Sequence, residues 1–180
     1  MTATDILAWQ GFFGIVAQIG ATLTGLLFVG LTISLGSVLQ AKGYLYRGFA
    51  ALYLQFETVV LGLCGILPGQ SGTALGAEFI FIGLAVLTGI RIFGRSFPED
   101  ENSYVLGSKG PRLVREVLLY TATLAPVISG ISLIAHLPGA LYWILPAEIA
   151  CLYLSIANSW VFAIEIPRRM EEDRKAGDPL

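Results

Sequence analysis

Residues 7–39 read LAWQGFFGIVAQIGATLTGLLFVGLTISLGSVL, and no charged residue occurs between Asp5 and Lys42. A helix crosses the hydrocarbon core of a bilayer in ~20 apolar residues. This run is longer than that. It is also too long for the apolar core of a signal peptide, and nothing positive precedes it. It is read as a long or tilted first transmembrane helix, about Trp9 to Leu39, with Trp9, Phe12 and Phe13 as anchors at the interface.

Four more spans follow from it. Residues 48–67 read GFAALYLQFETVVLGLCGIL and residues 75–93 read LGAEFIFIGLAVLTGIRIF. Residues 117–135 read VLLYTATLAPVISGISLIA, and 141–166 read LYWILPAEIACLYLSIANSWVFAIEI. One transmembrane domain, 1–166, is therefore expected, with a charged cytoplasmic tail at 167–180. Composition agrees: 55% of residues are hydrophobic and 13% charged, with mean hydropathy +0.73. Soluble domains carry about 25% charged residues, so lipid is the expected solvent.

The eleven basic residues test the count of five. Lys42 and Arg47 flank the first turn. Arg91, Arg95, Lys109, Arg112 and Arg115 flank the third, and Arg168, Arg169, Arg174 and Lys175 lie in the tail. With five spans every one falls on the same side. The positive-inside rule then predicts an N-terminus outside and a C-terminus in the cytoplasm. Net charge is -2 and the basic residues are scattered, so no nucleic-acid partner is expected.

The two outer turns resemble each other. LPGQSGTALGAE at 67–78 and LPGALYWILPAE at 137–148 share Leu67, Pro68, Gly69, Leu75, Ala77 and Glu78 with Leu137, Pro138, Gly139, Leu145, Ala147 and Glu148. The expectation is a duplicated helical hairpin: spans two and three, then four and five, as parallel repeats with the first helix as an extra. Pro146 followed by Glu148 reads as the start of the fifth helix, leaving GALYWIL as an interfacial or re-entrant piece. By the repeat, Glu78 also belongs in a first turn, capped by Ser71 or Thr73.

Three carboxylates are candidates for an ion pathway. Glu57 lies mid-span, where a charge costs at least ~2.5–3.5 kcal/mol. Glu78 and Glu148 are expected as an outer pair, either capping two helices or facing a common cation entrance. Gln55 is placed on a different face from Glu57. The first helix carries a stripe at alternating steps of three and four: Gly11, Gly14, Gln18, Ala21, Gly25, Phe28 and Thr32. Small residues there predict close helix packing, within or between subunits, or a pore lining. Pro126, among Thr121, Thr123, Ser129 and Ser132, predicts a kink satisfied by local hydroxyls.

Cys64 and Cys151 read as small buried hydrophobes. His136 is the single histidine and has no Cys, His or Asp neighbours, so no metal site and no cofactor are expected. GxxxxGK[ST], GxSxG, HExxH and SxxK are all absent from the sequence. The nucleophile and base of an enzyme are not there, and the chain is not expected to be one.

Phe12, Phe13, Gly20, Ala21, Leu23, Thr24 and Gly25, then Pro68, Gly69, Leu75, Gly76 and Glu78, resemble a widespread family of small bacterial inner-membrane proteins. That family has an aromatic pair, a GAxLTGLLFV helix and a later LPG…LGxE segment. Some members carry the label of modulators of a membrane-bound AAA protease. The resemblance covers about the first half of the chain and implies a bacterial inner-membrane location. It brings no catalytic residue. The fold expected is all-α, with five transmembrane helices. The function expected is an oligomeric channel or transporter for a cation or proton, or else an accessory subunit that docks on a membrane partner.

Overall fold

A computed structural model describes residues 3–33, 35–36, 42–96, 109–165 and 168. Five helices account for nearly all of them: α1 Ala3–Ile33, α2 Lys42–Ile66, α3 Gly72–Ser96, α4 Lys109–Ile134 and α5 Ile144–Trp160. A 3-10 turn, Ala140–Trp143, leads into α5, and a π-helical turn, Val161–Glu165, ends it. No strand occurs among the described residues. Five segments are long and apolar enough to cross a bilayer: Ile6–Ile33, Tyr46–Ile66, Gly72–Ser96, Leu113–Ile134 and Ala140–Ile164. The chain is thus built as a multi-pass membrane protein. The predicted end of the first span at 37–39 and the tail, apart from Arg168, lie outside the described residues.

The outer turns close by specific backbone chemistry. After α2, the amide of Leu67 bonds the carbonyl of Cys64, and Pro68 stops the helix. Gly69 then turns left-handed at φ 72. Ser71 caps α3: its hydroxyl accepts the amide of Ala74 at 3.2 Å. The end of α4 is held differently. Leu137 donates to Ser132 and His136 to Leu133, a doubled C-terminal lock with His136 left-handed at φ 55. The lone histidine therefore serves this turn through its backbone. Gly139 has φ 73, close to Gly69 at the matching place. Beyond that the turns diverge, since the second continues through Ala140–Trp143 straight into α5 at Ile144. The fifth helix starts two residues before Pro146, and the expected re-entrant piece is a 3-10 turn.

The helices form a ring. Each packs on the next, and α5 returns to α1. Neighbours run antiparallel except α1 and α5, where Trp9 meets Tyr142 at one end and Gly30 meets Phe162 at the other. A closed ring of five up-and-down helices must contain one such parallel pair. Across the middle, α2 also touches α5.

Close approach is made by glycines. A Cβ on Gly130 would stand 2.3 Å from the carbonyl oxygen of Gly76, and one on Gly76 would stand 2.6 Å from that of Gly130. Seven residues along α3, a Cβ on Gly83 would stand 2.6 Å from the carbonyl of Thr123, seven residues back along α4. Here the α3 and α4 backbones touch, the packing that membranes favour. Gly62 and Gly65 of α2 similarly receive Ala17 and Phe13 of α1.

The predicted α1 stripe is not part of this packing. Gly11 and Gly25 have open space where a Cβ would stand, and Gly11, Gln18, Ala21, Gly25, Phe28 and Thr32 are exposed. Gly14, half-buried, is only in ordinary contact with Ile66. The buried face of α1 is a different one, Ile6, Phe13, Val16, Gly20, Leu27 and Gly30. As packing within the chain, the stripe is corrected: it looks outward.

At the basic end, arginines tie helices together through aromatic faces. Arg91 of α3 lies 4.9 Å from the Tyr120 ring centre on α4, and Arg115 of α4 lies 5.9 Å from that of Tyr46 on α2. Around Pro126, Thr121, Thr123 and Ser132 bond carbonyls one turn back in α4. Ser129 instead reaches the carbonyl of Ala140 at 2.9 Å and pins the 3-10 turn to α4.

Candidate functional site

The contact between α2 and α5 carries most of the buried polar side chains among the described residues. Along α5, Glu148, Cys151, Ser155, Asn158 and Ser159 are all buried, at helical steps that keep them near one face. Along α2, Gln55, Glu57 and Thr58 are buried too. Glu57 is fully enclosed and Glu148 is 3% exposed. The two carboxyls are near enough to interact electrostatically, with the Thr58 hydroxyl beside Glu148 and the Cys151 thiol next to both glutamates. Gln55 donates its amide to the hydroxyl of Ser155 across the seam.

The Thr58 hydroxyl and the Cys151 thiol are near these carboxyls but out of hydrogen-bonding geometry. Both oxygens of Glu57 and both of Glu148 lack a hydrogen-bond partner, and so do Thr58 Oγ1, Gln55 Oε1 and Ser159 Oγ. Buried polar atoms nearly always find partners, so a group of orphans on one seam needs a physical reason. Two ionised carboxylates here would put a charge of two in low dielectric with nothing beside them to balance it. The sequence places no lysine or arginine near the depth of Glu57: Arg47 is ten residues away along α2, about 15 Å of helix. Such a site stays neutral only if the carboxyls carry protons or a cation joins them.

The carboxyl that the structure brings to Glu148 is that of Glu57. Glu148 lies in the second turn of α5, buried against α2 because the preceding 3-10 turn sends the helix start inward. Glu78 is likewise in the second turn of its helix, half-buried. It accepts the side-chain amide of Gln70 at 2.5 Å and sits beside the Cys64 thiol. Its helix packs on α2 and α4, whereas α5 packs on α4, α1 and α2. The partner of Glu148 is Glu57.

Gln55, assigned above to another face, also points into the α2–α5 seam. Thr58, Cys151, Ser155, Asn158 and Ser159 were not singled out as site residues. A signal for them existed: Glu148, Ser155, Asn158 and Ser159 recur at helical spacing inside an apolar run. No group of three or more His, Cys, Asp or Glu among the described residues is placed to hold a metal ion. A groove of about 790 Å³ lies elsewhere between α1, α2 and α3 and is apolar apart from Thr24 and Tyr53. No protein family, curated protein or solved structure matches this chain.

Proposed function

We propose that this protein moves protons or cations across a bilayer, with Glu57 and Glu148 as the intramembrane binding pair. One observation carries the reading: two enclosed carboxyls lie together with no basic side chain at their depth and no hydrogen bond made to either. A structural ion pair would have a cation beside it, and a structural carboxylic acid would have an acceptor for its proton. Reversible uptake of positive charge accounts for the arrangement. The gathering of basic residues at one end supports an N-terminus outside and a C-terminus in the cytoplasm. The resemblance noted above supports a bacterial inner membrane. A second reading, an accessory subunit, draws on the outward stripe of α1. Exposed Gly11, Gly25 and the mid-span amide of Gln18 would suit another helix, from a second copy or from a different membrane protein.

Proteoliposome flux tests the first reading. Wild-type protein is expected to dissipate a proton or cation gradient, and Glu57→Gln to abolish that flux. A wild type that moves no ion, or a Glu57→Gln variant with full flux, would sink it. Co-purification of a stoichiometric partner together with silent vesicles would favour the accessory role.

A further inference from the structure

The orphan polar atoms continue beyond the carboxyl pair. Going from Glu148 toward the basic end of α5, one meets Cys151, Ser155 bonded to Gln55, then Asn158 and Ser159. The steps as far as Asn158 are three or four residues, about 4.5–6 Å of helix rise. Gln55 Oε1, Thr58 Oγ1 and Ser159 Oγ are all unpartnered, on residues at least nine-tenths buried. Asn158 gives its amide to the carbonyl of Leu154 in its own helix. Beside Asn158 is a cavity of about 20 Å³, lined also by Arg47, Leu54, Arg115 and Leu154. That is room for about one water molecule. The two arginines place positive charge at this end of the seam. Outward from Glu148, by contrast, the path is plugged: Ala140, Leu141 and Ile144 are buried and apolar.

We infer that the α2–α5 seam is a proton access route, joining the Glu57–Glu148 pair to the basic end of the bundle through Ser155, Gln55 and Asn158 and opening at the cavity beside Arg47. The species carried is a proton. A hydrated metal ion does not fit a one-water cavity, whereas a proton passes by exchange between transient waters and hydroxyls. A hydronium at the cavity releases one proton inward and is left as water. Ser155 takes a proton on a lone pair and gives up its own, so the hydroxyl is unchanged. The carboxylate of Glu57 or Glu148 ends as the acid. Asn158 and Gln55 hold the waters in line and do not titrate.

The inference deepens the reading above and rests on its carboxyl pair, but it can be tested without transport. Infrared spectra of vesicle-embedded protein report protonated carboxyl groups, and Glu57→Gln assigns the Glu57 band. After transfer to heavy water, the rate at which that band shifts measures proton access. Asn158→Leu is expected to slow the shift by about ten-fold or more, because it removes a group that positions the transferring waters. Asn158→Gln, which keeps an amide, should recover most of the rate and shows that a slow variant is not merely misfolded. Exchange at the wild-type rate in Asn158→Leu would overturn the route, as would the absence of any protonated carboxyl band in the wild type. If vesicles pass no protons yet Asn158→Leu slows exchange, the transport reading fails and the route stands. If a sodium or potassium gradient alone drives flux at constant pH, the proton assignment is wrong.

Discussion

Two helix seams in this bundle are built on opposite principles. Between α3 and α4, Gly76, Gly83 and Gly130 let backbone touch backbone, leaving space for no added atom. Between α2 and α5, the seam holds two carboxyls, three hydroxyls, two amides and a thiol, several of them without partners. The first seam is optimised for contact. The second leaves hydrogen bonds unmade at its centre. In a solvent of hydrocarbon, where helices gain little from being apolar, the difference separates the seam that holds the fold from the seam that acts.

That contrast can be broken at either seam. The largest effect is expected at the tight one. Gly130→Ala forces the α3 and α4 backbones apart and should cost about 3 kcal/mol, read as a lower melting temperature in detergent. An unshifted melt would mean that the two backbones do not touch. Glu57→Met should do the reverse, raising stability by about 1–3 kcal/mol while ending flux, because it removes an unsatisfied buried group. Strong destabilisation would instead reveal a hidden partner for Glu57. Ser155→Ala should cost about 1 kcal/mol through the lost bond from Gln55, and should slow flux without ending it. The smallest effect is expected outside both seams. Glu78→Gln keeps a contact with Gln70 and should change stability by less than about 0.5 kcal/mol, with flux intact. A loss of flux there equal to that in Glu148→Gln would make the outer pair a functional unit.

The number of spans was legible because a bilayer imposes a length, and charge-free runs of that length can be counted from sequence. The turns were partly legible: Pro68–Gly69 and Pro138–Gly139 do bend left-handed at their glycines, and Ser71 does cap α3. Which face of each helix turns inward was not legible. Lipid and protein interior are both apolar, so hydropathy gives no direction, and glycines occur on several faces of several helices. The spacing rule chose Gly11 and Gly25, whereas the close contacts use Gly62, Gly65, Gly76 and Gly130. Glu57 stood out because a mid-span carboxylate is expensive wherever it points. Its pairing with Glu148 was hidden by the 3-10 turn at Ala140–Trp143, which shifts the start of α5 and with it the depth of that side chain.

The ring has a consequence for how the protein is made. Helices α1 and α5 are neighbours, so the bundle stays open on one side until α5 has been made. Glu57 leaves the ribosome about ninety residues before Glu148, a lag of roughly 5–20 s at about 5–20 residues per second. For that interval α2 carries a carboxyl that nothing in the chain yet covers. Its insertion is therefore the step most exposed to failure, and the arrival of α5 is what seals it.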